Sequence, residues 1–204
     1  VSQQDWQQLE AGTPIAGNPS GAWRLIRSKD EFIALAAGRL PSDRPLIGVP
    51  QVANTLQQAR QLAVVGRDAA TPSGVKKIDS VPDLATMTRG ALQFLQQRSP
   101  QGLFLMVEGG ATDWAAHTSA CGTEWHYGAC TDQPQFGRLI EETVEFNDAV
   151  AAVVDWIERN GGWERNLLII TTDHDNSMPM GPDAQQLAFQ PVRNNGRGQL
   201  PGMS

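Results

Sequence analysis

Two short apolar runs in the second half of the chain each end at a carboxylate. The first covers residues 102–107 and stops at Glu108, and the second covers residues 166–172 and stops at Asp173. Residues 103–107 and 167–170 within these runs carry no polar side chain, a pattern typical of strands buried on both faces of a parallel sheet. In open α/β sheets, ligand-binding and catalytic residues lie at the carboxyl ends of such strands, so we expect functional residues at these two positions.

The pattern in the first half predicts a βαβ unit. Apolar and polar residues alternate over residues 23–27, which predicts a short strand. A helix is expected to start between Ser28 and Asp30. Residues 45–50 form a second apolar run with a proline at each end. A strand, a helix and a strand in about thirty residues is the length of one such unit.

Two further helices are predicted around the first central strand. Asp83 is the expected N-cap of a helix that stops near Ser99, and a long helix over residues 135–160 ends at Gly161 and Gly162. The long helix joins the two central strands, and such crossovers are right-handed with parallel strands. The ends of both strands should therefore lie at one edge of the sheet.

The predicted fold is α/β, with a parallel-type central sheet flanked by helices. Residues 1–20 are expected to be an irregular lead-in, since Gly and Pro interrupt them. Residues 21–176 form the predicted core with an insertion over residues 118–134, and residues 177–204 are expected to be irregular.

Candidate metal ligands follow each central strand. Beyond Glu108, Asp113 and His117 are four residues apart, which places both side chains on one face of a helical turn; Asp173 and His174 are adjacent. Carboxylate with imidazole suits zinc, and a carboxylate oxygen suits magnesium. The chain has three histidines, and two of them fall in these pairs.

Each of these features has an ordinary structural explanation when taken alone. Glu108 is also a favourable carboxylate at a helix start, Asp113 with His117 is also a surface ion pair at helical spacing, and Asp173-His174 is a common dipeptide. Three such coincidences after two predicted buried strands favour the metal site.

The two motifs together resemble the metal-binding half of an alkaline phosphatase. The run from Phe104 to His117 reads F-L-M-V-E-G-G-x-x-D-x-x-x-H, and after a long helix the run ending at His174 reads I-I-T-T-D-H. The likeness extends more loosely over residues 21–176.

The resemblance implies two zinc ions, one magnesium ion and a phosphate monoester as substrate. It implies that Asp113 and His117 bind the zinc that handles water and leaving group, and that Asp173 and His174 bind the zinc that activates the nucleophile. Glu108 matches the magnesium ligand, and Trp114 falls where it would line the substrate pocket.

The chain also departs from the family pattern. The nucleophilic serine of the family, in an Asp-Ser-Ala context, is not found, and neither is the bridging aspartate. Asp79-Ser80 precedes Val81-Pro82 and is interpreted as a helix-cap region; no Gly-x-Ser-x-Gly motif occurs. No histidine follows His174, so each zinc receives two ligands where catalytic sites usually have three.

These departures predict the middle to late portion of a larger phosphate monoester hydrolase that works through a phosphoserine. We expect the nucleophile to lie outside this chain and the chain alone to be inactive. The alternatives are a phosphodiesterase or sulfatase of the same superfamily, or a non-catalytic metal-binding domain.

The composition and net charge of the chain argue against some classes of binding partner. With 204 residues, 40% hydrophobic and 19% charged, the chain has the make-up of one globular domain. A net charge of −6 without a Lys/Arg cluster argues against nucleic acid and anionic membrane surfaces. No apolar run approaches the roughly 18 residues of a membrane span, and the start has no signal-peptide pattern. A homodimer is left open.

Cys121 and Cys130 are interpreted as a local disulfide, which indicates an oxidising compartment, periplasmic or secreted. The alternative is a metal cluster of these cysteines with His126, but that spacing matches no common zinc site.

Overall fold

Seven elements follow one another in the part of the chain that the computed structural model describes. They are α1 (Gln3–Ala11), β1 (Arg24–Ile26), α2 (Lys29–Ala36), β2 (Leu46–Gly48), α3 (Leu84–Arg98), α4 (Gly110–Ser119) and α5 (Gln133–Arg159). The structure describes residues 1–15, 17, 21–52, 57, 68–119 and 133–174, without the side chains of 117–119 and 133–136.

The predicted βαβ unit is confirmed. β1 and β2 pair in parallel with Leu25 opposite Ile47, and α2 lies between them in sequence. Ser28 caps α2 by accepting the N–H of Glu31, while the Glu31 carboxylate accepts the N–H of Ser28. This reciprocal pair satisfies two donors that the first helical turn would otherwise leave without partners.

The prediction of an irregular lead-in was wrong over Gln3–Ala11, which forms α1. The helix carries few apolar residues, and only Leu9 is buried. It is defined instead by its ends: Ser2 and Asp5 form a capping box, and Gly12 ends the helix in the left-handed conformation. Local hydrogen bonds thus specify an element that apolar periodicity does not reveal.

The helices α2, α3 and α5 form the packed layer of the molecule. α3 packs against both α2 and α5, and Asp83 caps it by accepting the N–H of Thr86, as predicted. Two clusters of buried side chains fill the contacts, and Met87 packs against both of them. The first is Leu84, Ala85, Ala149 and Ala152, and the second is Ile26, Phe32 and Leu35.

Helix α5 is held to the segment before α3 by close contact and by buried acids. A Cβ on Gly137 would lie 2.3 Å from the carbonyl of Pro72, so the two backbones touch where glycine leaves space. Glu141 accepts the N–H of Ser73, and Glu145 accepts the N–H of Leu84. Both glutamates are buried.

The two predicted central strands are not paired into a sheet within the described residues. Residues 102–109 and 166–172 are not assigned to helix or strand, and the only sheet described has the two strands β1 and β2. Phe104 is 89% exposed and Leu167 is 83% exposed, so the expected burial on both faces was wrong. A strand is buried on both faces only when neighbouring strands and helices cover it, and no described element covers these faces.

The remaining predictions fall partly outside the described residues. The pair Cys121 and Cys130, His126, most of the 118–134 insertion and the segment after residue 174 all lie there. Helix α5, the longest of the described helices with 27 residues, is amphipathic, and no described helix has the length and apolar character needed to span a bilayer.

Candidate functional site

Helix α4 carries the first predicted ligand pair and is fixed by its packing on α5. Gly109, just before the helix, lies against Phe146 so closely that a Cβ there would be 2.6 Å from the ring. The glycine therefore allows the 102–109 segment to enter α4 directly over α5. Asp113 lies in the first turn of α4 and its side chain is 33% exposed.

Asp113 meets the second predicted ligand pair. The Nε2 atom of His174 lies 3.8 Å from Oδ1 of Asp113 and 3.6 Å from Oδ2 of Asp173. Asp113 and His174 follow two separate apolar segments of the chain, and the structure places these two side chains close together. Both carboxylates therefore approach the same ring nitrogen of a half-exposed imidazole.

Glu108 lies beside a second acidic group. It lines a cavity of about 350 Å³ between the start of α4 and α5, together with Glu142, Glu145 and Phe146. The cavity is also bordered by Pro50 and other residues after β2.

The sequence reasoning missed Glu142 and Glu145, which are 3% and 5% exposed. The signal that could have found them is their register: they share a helical face with Ala149 and Ala152, which belong to the core. Charged residues on the buried stripe of an amphipathic helix need partners, and Glu145 has Lys77 at 3.1 Å as well as the Leu84 N–H.

The structure says less about two further predicted site residues, His117 and Trp114. His117 belongs to α4, one helical turn after Asp113, but its side chain lies outside the described residues. Trp114 follows Asp113 and is 49% exposed. Both assignments stay predictions.

The chemistry of the group suits a metal, although the described side chains do not form a finished site. Two carboxylates and an imidazole are suitable zinc ligands. Among the side chains that the structure describes, no three His, Cys, Asp or Glu residues form a metal-binding group.

Known proteins resemble part of the chain. It is 35% identical to streptomycin-6-phosphate phosphatase of Streptomyces griseus over 57% of the chain and 22% of that protein's length. It is 30% identical to alkaline phosphatase of Escherichia coli K12 over 62% of the chain and 23% of that protein. It is 27% identical to alkaline phosphatase H of Pseudomonas aeruginosa over 78% of the chain and 30% of that protein.

The matches cover less than a third of these relatives' own length. No solved structure matches the chain significantly. The alkaline phosphatase family model matches residues 52–197, which include α3, α4, α5 and all five predicted ligands. The chain therefore belongs to the alkaline phosphatase family.

Proposed function

We propose that the chain is the metal-binding portion of a phosphate monoester hydrolase that works through a phosphoserine. The observation that carries the proposal is the approach of His174 to Asp113, at 3.8 Å, from segments 61 residues apart in the sequence. Membership of the alkaline phosphatase family supports a phosphatase-type reaction. The nucleophilic serine is proposed to lie in polypeptide outside these 204 residues.

Each predicted ligand has a proposed task in this reaction. Asp113 and His117 would hold one zinc ion, Asp173 and His174 the other, and Glu108 the magnesium ion. When bound, these cations supply positive charge that stabilises the negative charge developing on the phosphoryl group and leaving oxygen. The protein's own contribution is to orient the ligands, and the packing of α4 on α5 fixes Asp113 for this purpose.

The test is hydrolysis of p-nitrophenyl phosphate by the chain extended with its natural flanking sequence. Asp173→Ala should lower kcat/KM by at least about 100-fold, because ligand loss removes the charge stabilisation of the transition state. Asp148→Asn, which changes an exposed acid on α5, is the matched control and should leave activity unchanged. Activity that survives Asp173→Ala would contradict the proposal.

The 204 residues alone are expected to bind zinc weakly and to be inactive, because two ligands per ion fall short of the usual three. Calorimetric zinc titration measures the affinity, and the double variant His117→Ala with Asp173→Ala should remove the remaining zinc binding. Tight binding of two zinc ions by the isolated chain would contradict the expected ligand count.

The same assay separates the competing substrate classes. A phosphodiester or sulfate analogue hydrolysed faster than the monoester would favour the related enzyme classes of the superfamily. A periplasmic or secreted location is proposed on the interpretation of Cys121 and Cys130 as a disulfide, which thiol titration with and without reductant tests.

A further inference from the structure

An open cleft of about 700 Å³ lies between the end of α1, β1 and the loop before β2. Three arginines line it, Arg24, Arg27 and Arg44, and we call it the arginine cleft. Its lining residues all fall within residues 9–44, so they precede the residues 52–197 that the alkaline phosphatase family model matches. Its volume is in the range of sites for small organic molecules.

Two of these arginines lie on adjacent stretches of backbone and are held in place by carbonyl groups. The N–H of Arg24 donates to the carbonyl of Pro45, the residue after Arg44, at 2.8 Å. The Nη1 atom of Arg24 donates to the carbonyl of Pro41 at 2.9 Å, and that of Arg44 donates to the carbonyl of Gly12 at 3.2 Å. Neither arginine forms an ion pair with a carboxylate among the described residues. Two positive groups fixed in one cleft favour an anion between them.

Two further donors of the cleft are buried without an acceptor. They are the indole Nε1 of Trp23 and the Nε of Arg27, and neither has a hydrogen-bond partner among the described residues. Arg27 is also held in place, because its Nη1 donates to Glu10 at 3.2 Å and its guanidinium lies 5.1 Å from the centre of the Trp6 ring. Buried donors of this kind are normally satisfied by an oxygen acceptor.

The acids that line the cleft are largely engaged in other contacts. The Glu31 carboxylate accepts the backbone N–H of Arg27 and takes part in the capping box of α2. The Oε1 atom of Glu10 accepts from both Trp6 and Arg27. Asp43 is the remaining acid of the lining, and it is exposed. The cleft therefore offers more donors than acceptors, which favours a ligand with negatively charged oxygen atoms.

We propose that the arginine cleft binds a small organic oxyanion, whose phosphate or carboxylate oxygens lie between Arg24 and Arg44. Guanidinium groups bind both kinds of anion through paired N–H···O hydrogen bonds. The two buried donors would bind further oxygens, and the apolar lining residues Leu9 and Leu25 would contact the carbon skeleton. The inference does not rest on the proposed hydrolase activity, since no predicted metal ligand lines the cleft.

Hydrogen exchange measured by mass spectrometry tests the proposal on the chain with its natural flanking sequence. The probes are phenylphosphonate for the phosphate class and phthalate for the carboxylate class. At least one of them should slow exchange in residues 9–12, 23–27 and 41–44, which line the cleft, and the more effective probe identifies the class. Benzamide, which has the ring but no charged oxygen, should slow none of these segments. No protection by either anion, or equal protection by benzamide, would overturn the proposal.

Substitutions show whether the named side chains bind the probe. Arg44→Gln keeps a donor for the Gly12 carbonyl but loses the charge, so it should weaken binding by roughly 10–100-fold. Trp23→Phe keeps a ring but loses the indole N–H, and it should weaken binding by roughly 3–10-fold. Affinity is measured as the probe concentration that gives half of the protection.

Arg89→Gln is the matched control, because it removes an exposed arginine of α3 that does not line the cleft. It should leave the affinity unchanged. The thermal midpoints of all three variants without probe should equal that of the parent protein, so that lost binding does not reflect unfolding. Binding by Arg44→Gln and Trp23→Phe that is as tight as binding by Arg89→Gln would overturn the proposal.

Discussion

At the residue scale, the chain relies on carboxylates that accept backbone N–H groups. Glu31 accepts the N–H groups of Arg27 and Ser28, both at 2.9 Å. The Arg27 hydrogen bond is the main reason that the pKa of Glu31 lies below its usual value, and the Ser28 bonds add to it. Such a carboxylate stabilises the folded state when ionised.

The pH dependence of this contribution can be predicted. Because the folded pKa is the lower one, the stabilisation is fully present above the unfolded pKa of about 4.3 and is lost as the pH falls through the folded pKa. Glu31→Gln keeps an acceptor but loses the charge, so it should lower the free energy of unfolding by about 0.3–1 kcal/mol at pH 7 and by progressively less below about pH 4. Urea denaturation at several pH values measures the difference.

The control for this prediction is Asp30→Asn, which changes an exposed acid in the same helical turn. It alters the charge near the helix start without touching the capping box. A cost for Glu31→Gln that is the same at pH 3 and pH 7, values chosen on either side of about 4.3, would show that the carboxylate charge is not responsible.

Glu145 is the corresponding residue in the core, where removal of the acceptor has a larger consequence. Glu145→Ala leaves the buried N–H of Leu84 without its acceptor and should cost about 1–3 kcal/mol. Glu145→Gln keeps an acceptor for Leu84 and loses only the ion pair with half-exposed Lys77, so it should cost clearly less. Equal losses for the two variants in chemical denaturation would argue that the ion pair dominates.

At the scale of elements, the sequence predicted those elements that nearby residues define, but it did not predict whether strands find pairing partners far along the chain. The βαβ unit and α3 follow from features within a few residues, such as Ser28 and Asp83 as caps. The segments 102–107 and 166–172 were expected to be paired strands, but pairing depends on neighbours far along the chain, and these are not found among the described elements. α1 was missed because its capping box, rather than an apolar stripe, defines it.

The contact between α5 and residues 72–73 gives a prediction at this scale. Gly137→Ala would gain about 1 kcal/mol of helix propensity but would place a methyl group 2.3–2.4 Å from backbone atoms of Pro72 and Ser73. Because backbone cannot move aside as a side chain can, we expect a net loss of about 1–3 kcal/mol in chemical denaturation.

Gly90→Ala is the matched substitution inside α3. Its nearest obstacle is the flexible side chain of Leu35, at 3.1 Å, which can shift by a few tenths of an ångström. The free energy of unfolding of this variant should lie within about 1 kcal/mol of that of the parent protein, because the gain in helix propensity and the crowding against Leu35 offset each other. A loss as large as that of Gly137→Ala would indicate that position in a helix, rather than the backbone obstacle, sets the cost.

At the scale of the whole molecule, the candidate site was predictable in part. The rule that parallel strands deliver their ends to one edge led us to expect the two ligand pairs near each other. His174 does lie 3.8 Å from Asp113, but the two segments that lead to these residues are not paired as strands among the described residues. The burial of Glu142 and Glu145 was not predicted, because it depends on which face of α5 meets α3 and α4. In the structure Glu108 lines a cavity together with Glu142 and Glu145. The family resemblance had assigned Glu108 only as a magnesium ligand.

The contact of α2 with α3 has a consequence for how the protein is made. The cluster of Ile26, Phe32 and Leu35 is completed by Leu40, Leu46, Met87 and Phe94, all within the first 98 residues. During synthesis these residues leave the ribosome before α4 and α5. We therefore expect a stalled nascent chain whose residues up to Arg98 have all left the ribosome to resist protease over this unit, before α5 has emerged to cover α3.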